Sequence, residues 1–277
     1  MRLAHHLKLL LHRPLRALER REFTTSGGRV RVHLRWDLDR QEAADDDLPT
    51  FVFVHGLGVS SRYFVPVADR LADRGRIVLF DLPGFARLPT PKAPLSIEGF
   101  ADVVAEALER VDLPGRPVLV GHSMGCQVVA ELLATQAVRC HEAMLINPVV
   151  NEGERTVRLV LRRFAQAARY ESRANALAAL TAYARCGLRW VADTMPRMVT
   201  YPIERRLAGV DADVVIVRGE NDALVPDAWA QLLASAPAQG RVVTLDGAAH
   251  GAVFDHAEQI AEELLRLTGL PTEEAAR

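Results

Sequence analysis

The sequence predicts an α/β fold, a mainly parallel sheet covered by helices on both faces. Three observations carry this. Short apolar runs recur along the chain without polar alternation, the pattern of parallel strands buried on both sides. Helical patterns lie between successive runs. One of the junctions is a tight turn, Gly121-His122-Ser123-Met124-Gly125, entered from an apolar run and left through a helix.

The elements follow in order. Residues 1–21 place Leu3, Leu7, Leu10, Leu11, Leu15 and Leu18 at helical spacing among Arg2, Lys8, Arg13, Arg16, Arg20 and Arg21, which predicts a basic amphipathic segment. Its apolar run is too short for a signal peptide. Two readings stay open: a helix packed on the body or partly disordered, or one resting on an anionic membrane. Residues 29–36 alternate and pair with 22–25 through Gly27-Gly28 as a hairpin. An acidic loop covers 41–47. Apolar runs at 50–55, 76–80, 117–121, 142–147, 213–218 and 241–246 are the remaining strands. Helices are expected at 63–74, at 96–111 with Ser96 as N-cap, at 126–134, at 227–236 and at 256–267.

The rhythm breaks after Pro148. Residues 151–206 read as helices alone, with Val157, Leu161, Phe164 and Ala168 on one face, a second helix over 173–186 and a third around Trp190. This stretch is too long for a crossover. It is expected to form a cap over the carboxyl ends of the strands, inserted between core segments 22–150 and 207–277.

Composition narrows the function classes. The chain has 277 residues, 49% hydrophobic and 25% charged, with a net charge of −1, so no overall field favours nucleic acid. No stretch is long and apolar enough to span a membrane. The three cysteines, Cys126, Cys140 and Cys186, lack C-x-x-C spacing, which speaks against a disulfide framework or a zinc site and fits a reducing cytoplasm. His5, His6 and His12 have helix-face spacing without further ligands. No metal or organic cofactor is implied, and oligomeric state is not legible.

A serine held between glycines on a strand-to-helix turn is an exposed nucleophile, and Ser123 fits that place. A hydroxyl needs a base, and the base needs an orienting acid. His250, in Gly247-Ala248-Ala249-His250-Gly251 after the last strand, is the expected base. Asp222, in Gly219-Glu220-Asn221-Asp222, is the expected acid, with Glu220 and Asp227 as rivals. The alternative acid position after the preceding strand holds Asn147, which carries no charge. The backbone N–H groups of Met124 and of Leu57, in His55-Gly56-Leu57-Gly58, are the expected oxyanion donors. His55 and His122 are read as buried structural groups, and Asp81 as a loop anchor. Phe64, Phe164, Trp190, Met195 and Met198 are candidates for an apolar acyl pocket, with plain core packing equally open.

With Asp81-Leu82-Pro83-Gly84-Phe85 added, these motifs resemble the α/β-hydrolase superfamily over about residues 22–269. The resemblance implies an eight-stranded, mostly parallel sheet with one antiparallel strand near its start. It also implies the roles given above for Ser123, Asp222, His250, Leu57 and Met124. Two positions depart from the family pattern: Cys126 where Gly or Ala is frequent, and Ala86 where a second glycine often follows the Asp81 strand. Relatives with an aspartate nucleophile are disfavoured because residue 123 is serine. The activity implied is that of an esterase- or lipase-like serine hydrolase, cleaving a small-molecule carboxylic ester or related acyl compound through an acyl-enzyme. The same groups also serve acyl transfer, perhydrolysis, lactone opening or C–C cleavage, and a low-turnover ligand-binding receptor is the reading from another class. Arg155, Arg158, Arg162, Arg163, Arg169, Arg173, Arg185, Arg189 and Arg197 make the insertion basic. They read either as a solvated face or as attraction to an anionic substrate or membrane surface.

Overall fold

A computed structural model describes residues 18–35 and 48–272. The amphipathic segment up to residue 17 and the acidic loop at 41–47 lie outside the described residues. Eight strands form one sheet in the order β1-β2-β4-β3-β5-β6-β7-β8. They are β1 (Glu19–Thr25), β2 (Gly28–Arg35), β3 (Pro49–Val54), β4 (Arg76–Asp81), β5 (Arg116–His122), β6 (Glu142–Ile146), β7 (Asp213–Gly219) and β8 (Gln239–Leu245). β2 runs antiparallel to both β1 and β4, and the pairings from β4 to β8 are all parallel. β1 starts at Glu19, inside the segment expected to be helical. Its residues 19–21 instead pair with 32–34 of β2, and its outward side chains are charged because it is an edge strand.

The strands lack polar alternation because each face of the sheet is covered. In β3, Val52 and Val54 join one core cluster while Phe51 and Phe53 join the other. In β5, Leu119 points to the first and Val118 and Val120 to the second. The first cluster is closed by helices α2 (Ile97–Val111), α3 (Met124–Thr135) and α8 (Asp227–Ala234), the second by α1 (Val65–Leu71) and α10 (Ala257–Leu267). Ser96 caps α2 by accepting from the Gly99 N–H at 3.1 Å. β8 differs from the other parallel strands. As the far edge it is largely exposed.

Between β6 and β7 the chain forms α4 (Val157–Ala167), α5 (Arg173–Cys186), α6 (Leu188–Thr200) and the short α7 (Ile203–Leu207). Thr156 and Ser172 cap α4 and α5 through their hydroxyls. A last short turn, α9 (Ala252–Asp255), follows the loop after β8. Among the described residues no helix is long and apolar enough to cross a membrane.

Candidate active site

The turn between β5 and α3 is a single residue. Ser123 sits at φ 54 and ψ −119, a conformation that a non-glycine residue holds only when its surroundings enforce it. They do so by close approach. A Cβ on Gly121 would lie 2.7 Å from the Cys126 backbone, and one on Gly125 would lie 2.0 Å from the Val54 carbonyl oxygen. The Ser123 N–H donates to the Ile146 carbonyl at 3.0 Å and its own carbonyl accepts from the Cys126 N–H at 3.0 Å. Cys126 fits at the helix start, fully buried, with its thiol 3.2 Å from the Ile146 carbonyl oxygen. Met124 opens α3, so its N–H has no acceptor within the helix.

The loop after β3 lies against this turn. A Cβ on Gly56 would stand 3.0 Å from the Ser123 Cβ. His55 pins the loop from below. Its Nε2 accepts from the Leu82 N–H at 3.1 Å and its Nδ1 donates to the Gly56 carbonyl at 2.8 Å. Burial favours the neutral ring. Leu57 and Met124 therefore belong to two segments that flank Ser123.

The loops after β7 and β8 supply the other two groups. His250 Nε2 is 3.0 Å from Ser123 Oγ, and its Nδ1 is 2.8 Å from Asp222 Oδ2. All three residues are buried. Asp222 Oδ1 accepts from the Leu224 N–H at 3.0 Å, which fixes the carboxylate plane. Burial disfavours the imidazolium, but the charge and hydrogen bond of Asp222, helped by the charge of Glu171, outweigh it and hold the His250 pKa above its ordinary value. The two rival carboxylates lie on the loop after β7 and at the start of the helix that follows it. Glu220 accepts from the Gly247 N–H at 2.8 Å, and Asp227 is the first residue of α8. His122 is a structural group. Its Nε2 donates to the His250 carbonyl at 2.9 Å, and burial, followed by the nearby His250 charge, pushes its pKa down to about 3.

The chain matches the sequence pattern described as the alpha/beta hydrolase family over residues 51–263. It belongs to that family.

The α/β hydrolase is 27% identical to pimeloyl-[acyl-carrier protein] methyl ester esterase from Xanthomonas campestris pv. campestris over 244 residues, 79% of this chain and 94% of the relative. The enzyme of the same name from Yersinia pestis is 26% identical over 77% of this chain and 91% of its own length. Among solved structures, an enol-lactonase from Burkholderia xenovorans superposes with a TM-score of 0.72 at 20% identity, covering 90% of this chain and 100% of that one. An esterase from Thermogutta terrifontis gives 0.69 at 18%, covering 90% and 99%.

The family's glycine after the Asp81 strand has a physical reason that is visible in this α/β hydrolase. Ala86, which replaces it, sits at φ 50, in the left-handed region. Asp81 anchors the loop by accepting from the Ser61 N–H at 2.9 Å, with His33 and Arg31 on its other oxygen.

Of the five pocket candidates, Phe164 stands edge-on to the His250 ring, with centroids 4.9 Å apart. Trp190 packs on Phe85 and over Gly84. Met198 is fully buried, and Met195 packs partly buried against the first core cluster. Phe64 is a core residue instead. It precedes α1 and points beneath the sheet onto Phe53 and His122. Arg155 and Arg163 are tied up in ion pairs with Glu204 and Glu154.

Two residues that sequence reasoning did not assign hold the His250 loop. Asn147, at φ 51, donates through Nδ2 to the Ala249 and His250 carbonyls at 3.0 and 2.8 Å, while its Oδ1 accepts from the Gly219 N–H at 2.9 Å. It thus ties the two loops that carry the base and the acid. Glu171, just before α5, accepts from the Gly251 N–H at 2.7 Å. Its other oxygen accepts from buried Asn175, which in turn accepts from the Tyr63 hydroxyl. The charged and titratable groups around His250 are then Asp222, Glu171 and the neutral His122, with Asp255 beyond Glu171. Removing the Glu171 charge favours neutral imidazole. Glu171→Gln is expected to move the acid limb of kcat/KM to lower pH. A pH–rate profile on a p-nitrophenyl ester checks this, and a limb that stays or rises contradicts it.

Proposed function

We propose that this α/β hydrolase cleaves carboxylic esters through an acyl-enzyme formed on Ser123. Ester hydrolysis is the activity its family membership and esterase relatives support; the proposal adds the roles of the residues. The observation that carries it is the unbroken line from Ser123 Oγ to His250 Nε2 at 3.0 Å and from His250 Nδ1 to Asp222 at 2.8 Å. Ser123 Oγ attacks the ester carbonyl as its proton passes to His250 Nε2. The negative charge that develops on the carbonyl oxygen meets the Leu57 and Met124 N–H groups at the positive end of α3. His250 returns the proton to the departing alkoxide, which leaves as the alcohol. A water then gives its proton to His250 and attacks the acyl carbon, and the acid leaves as Ser123 regains its proton.

The inserted helices act as a cap in this reading. Phe164 meets His250, and Tyr183 lies where a side chain on Gly58 would have to be. They set which acyl group reaches Ser123. The name of the Xanthomonas relative makes methyl esters of acyl chains the first substrates to test. A fluorophosphonate probe should label the folded protein once, with the adduct on Ser123 by peptide mass spectrometry. Folded protein that neither takes the probe nor hydrolyses methyl or p-nitrophenyl esters overturns the proposal in favour of a ligand-binding role.

A further inference from the structure

Helix α5 carries apolar side chains on every side. Helices of that kind are ordinarily buried. The inner side of α5 follows the rule. Ala174 and Asn175 are buried, Ala178 and Ala182 pack against the second core cluster, and Tyr183 fills the space over Gly58. The outer side does not. Residues 173, 176, 177, 180, 181, 184 and 185 are exposed, a stripe at helical spacing. Leu177 is 48% exposed, Leu180 68%, and Leu188, just past Gly187 at the start of α6, 75%. The helix thus turns alanines toward the protein and leucines toward solvent, the reverse of what packing on the body alone selects. Among the described residues, Leu232 is the one large, exposed apolar side chain that lies outside the inserted segment. The apolar surface left open is therefore gathered on the insertion, as on a face made to be covered.

Charge says what covers it. Arg173, Arg185 and Arg189 are exposed along the stripe, and no acidic residue occurs between Glu171 and Asp193. Arg189 meets Asp193 at 3.8 Å. Three arginines against one aspartate leave residues 172–193 cationic. Residues 1–17 also hold basic side chains and no acidic one. Like charge argues against that segment, and against a second copy of the stripe, as the cover. Leucines among cations fit a negatively charged bilayer. The apolar side chains enter the acyl boundary while the guanidiniums stay with the headgroups. We propose that the outer face of α5 and the start of α6 dock this protein on an anionic lipid surface. The bilayer then lies one helix diameter, about 10 Å, from the Leu57-Gly58 loop that Tyr183 covers.

The test is co-sedimentation of the full chain with vesicles of phosphatidylcholine alone or with about a third phosphatidylglycerol. Binding to the anionic vesicles should be tighter by about tenfold or more, and added sodium chloride should weaken it. The double variant Leu180→Asp, Leu188→Asp and the double variant Arg185→Glu, Arg189→Glu should each lower binding to anionic vesicles by about tenfold or more. Leu232→Asp, on α8, should leave it unchanged. All these positions are exposed, so melting by circular dichroism should match wild type in every variant. Leu180→Trp gives a readout that needs no loss. Its fluorescence should be quenched by brominated lipid in anionic vesicles more than that of wild type. Leu7→Asp with Leu11→Asp probes the N-terminal segment in place. Equal binding to both vesicle types, or no binding to either, overturns the proposal. So does binding that this N-terminal variant abolishes and the two α5–α6 variants leave intact. A dimer in sedimentation velocity that Leu180→Asp, Leu188→Asp dissociates, seen without vesicle binding, makes a second copy the occupant and overturns it as well.

Discussion

Ser123→Ala is expected to lower kcat by about 10⁶ and to leave the fold intact. The size follows from what is lost. Without the hydroxyl there is no acyl-enzyme, and His250 has no proton to take from a nucleophile in contact with the ester carbon. The residual rate is that of water in a site that still offers the Leu57 and Met124 N–H groups. The fold survives because the backbone of residue 123 makes the local bonds. Its N–H and carbonyl hold the Ile146 carbonyl and the Cys126 N–H at 3.0 Å each, and alanine keeps both. The side chain of residue 123 already has room for a Cβ at φ 54, since serine carries one there. Initial rates on a p-nitrophenyl ester, read beside a thermal melt by circular dichroism, check both halves. Turnover close to wild type from a clean preparation would remove Ser123 from the chemistry. An unfolded variant would contradict the claim that only the oxygen matters.

Much of this arrangement is written locally. Strands β3 to β7 are apolar runs because both faces of the sheet are covered, and the loops at their carboxyl ends carry short motifs that declare themselves without tertiary knowledge. The helix expected over 173–186 is observed as Arg173–Cys186, with Ser172 capping one end and Gly187, at φ 85, ending the other. Ser123, Asp222 and His250 are legible in the sequence as candidates because each follows a strand, and a parallel sheet delivers those ends to one edge.

The residues that escaped act only through distant contacts. Asn147 looked like a position where an acid was missing; its work is to join carbonyls about a hundred positions later to the end of β7. Glu171 and Asn175 sit among the arginines of an insertion whose packing no local pattern fixes. Phe64 shows the converse. An aromatic residue in a turn near the site has no sequence sign of whether it faces the substrate or the core, and here the chain direction into α1 turns it inward. β1 misled for a related reason. An edge strand with charged outward residues shares its composition with a basic helix, and the leucine spacing before it extended that impression.

Asp222→Asn is the second large effect, expected at about 10⁴ in kcat with geometry preserved. The argument turns on which way the new amide faces. Oδ1 of residue 222 accepts from the Leu224 N–H at 3.0 Å, and an amide keeps its oxygen there because its nitrogen would place two donors face to face. The Nδ2 group then points at His250 Nδ1, where Oδ2 stood at 2.8 Å. Facing a donor, His250 Nδ1 must accept, so the ring proton moves to Nε2. The nitrogen 3.0 Å from Ser123 Oγ becomes a donor and has no lone pair with which to take the serine proton. The same substitution removes the charge that most favours the imidazolium, so the His250 pKa falls, opposite to its raised value in the native protein. Two measurements separate this from a general loss of structure. The imidazole proton should be seen on Nε2 by nitrogen-15 NMR, and fluorophosphonate labelling of Ser123 should slow in parallel with ester turnover. A variant that keeps the Nδ1 proton yet loses activity, or one that keeps activity with the proton on Nε2, would show that Asp222 does not act by orienting His250.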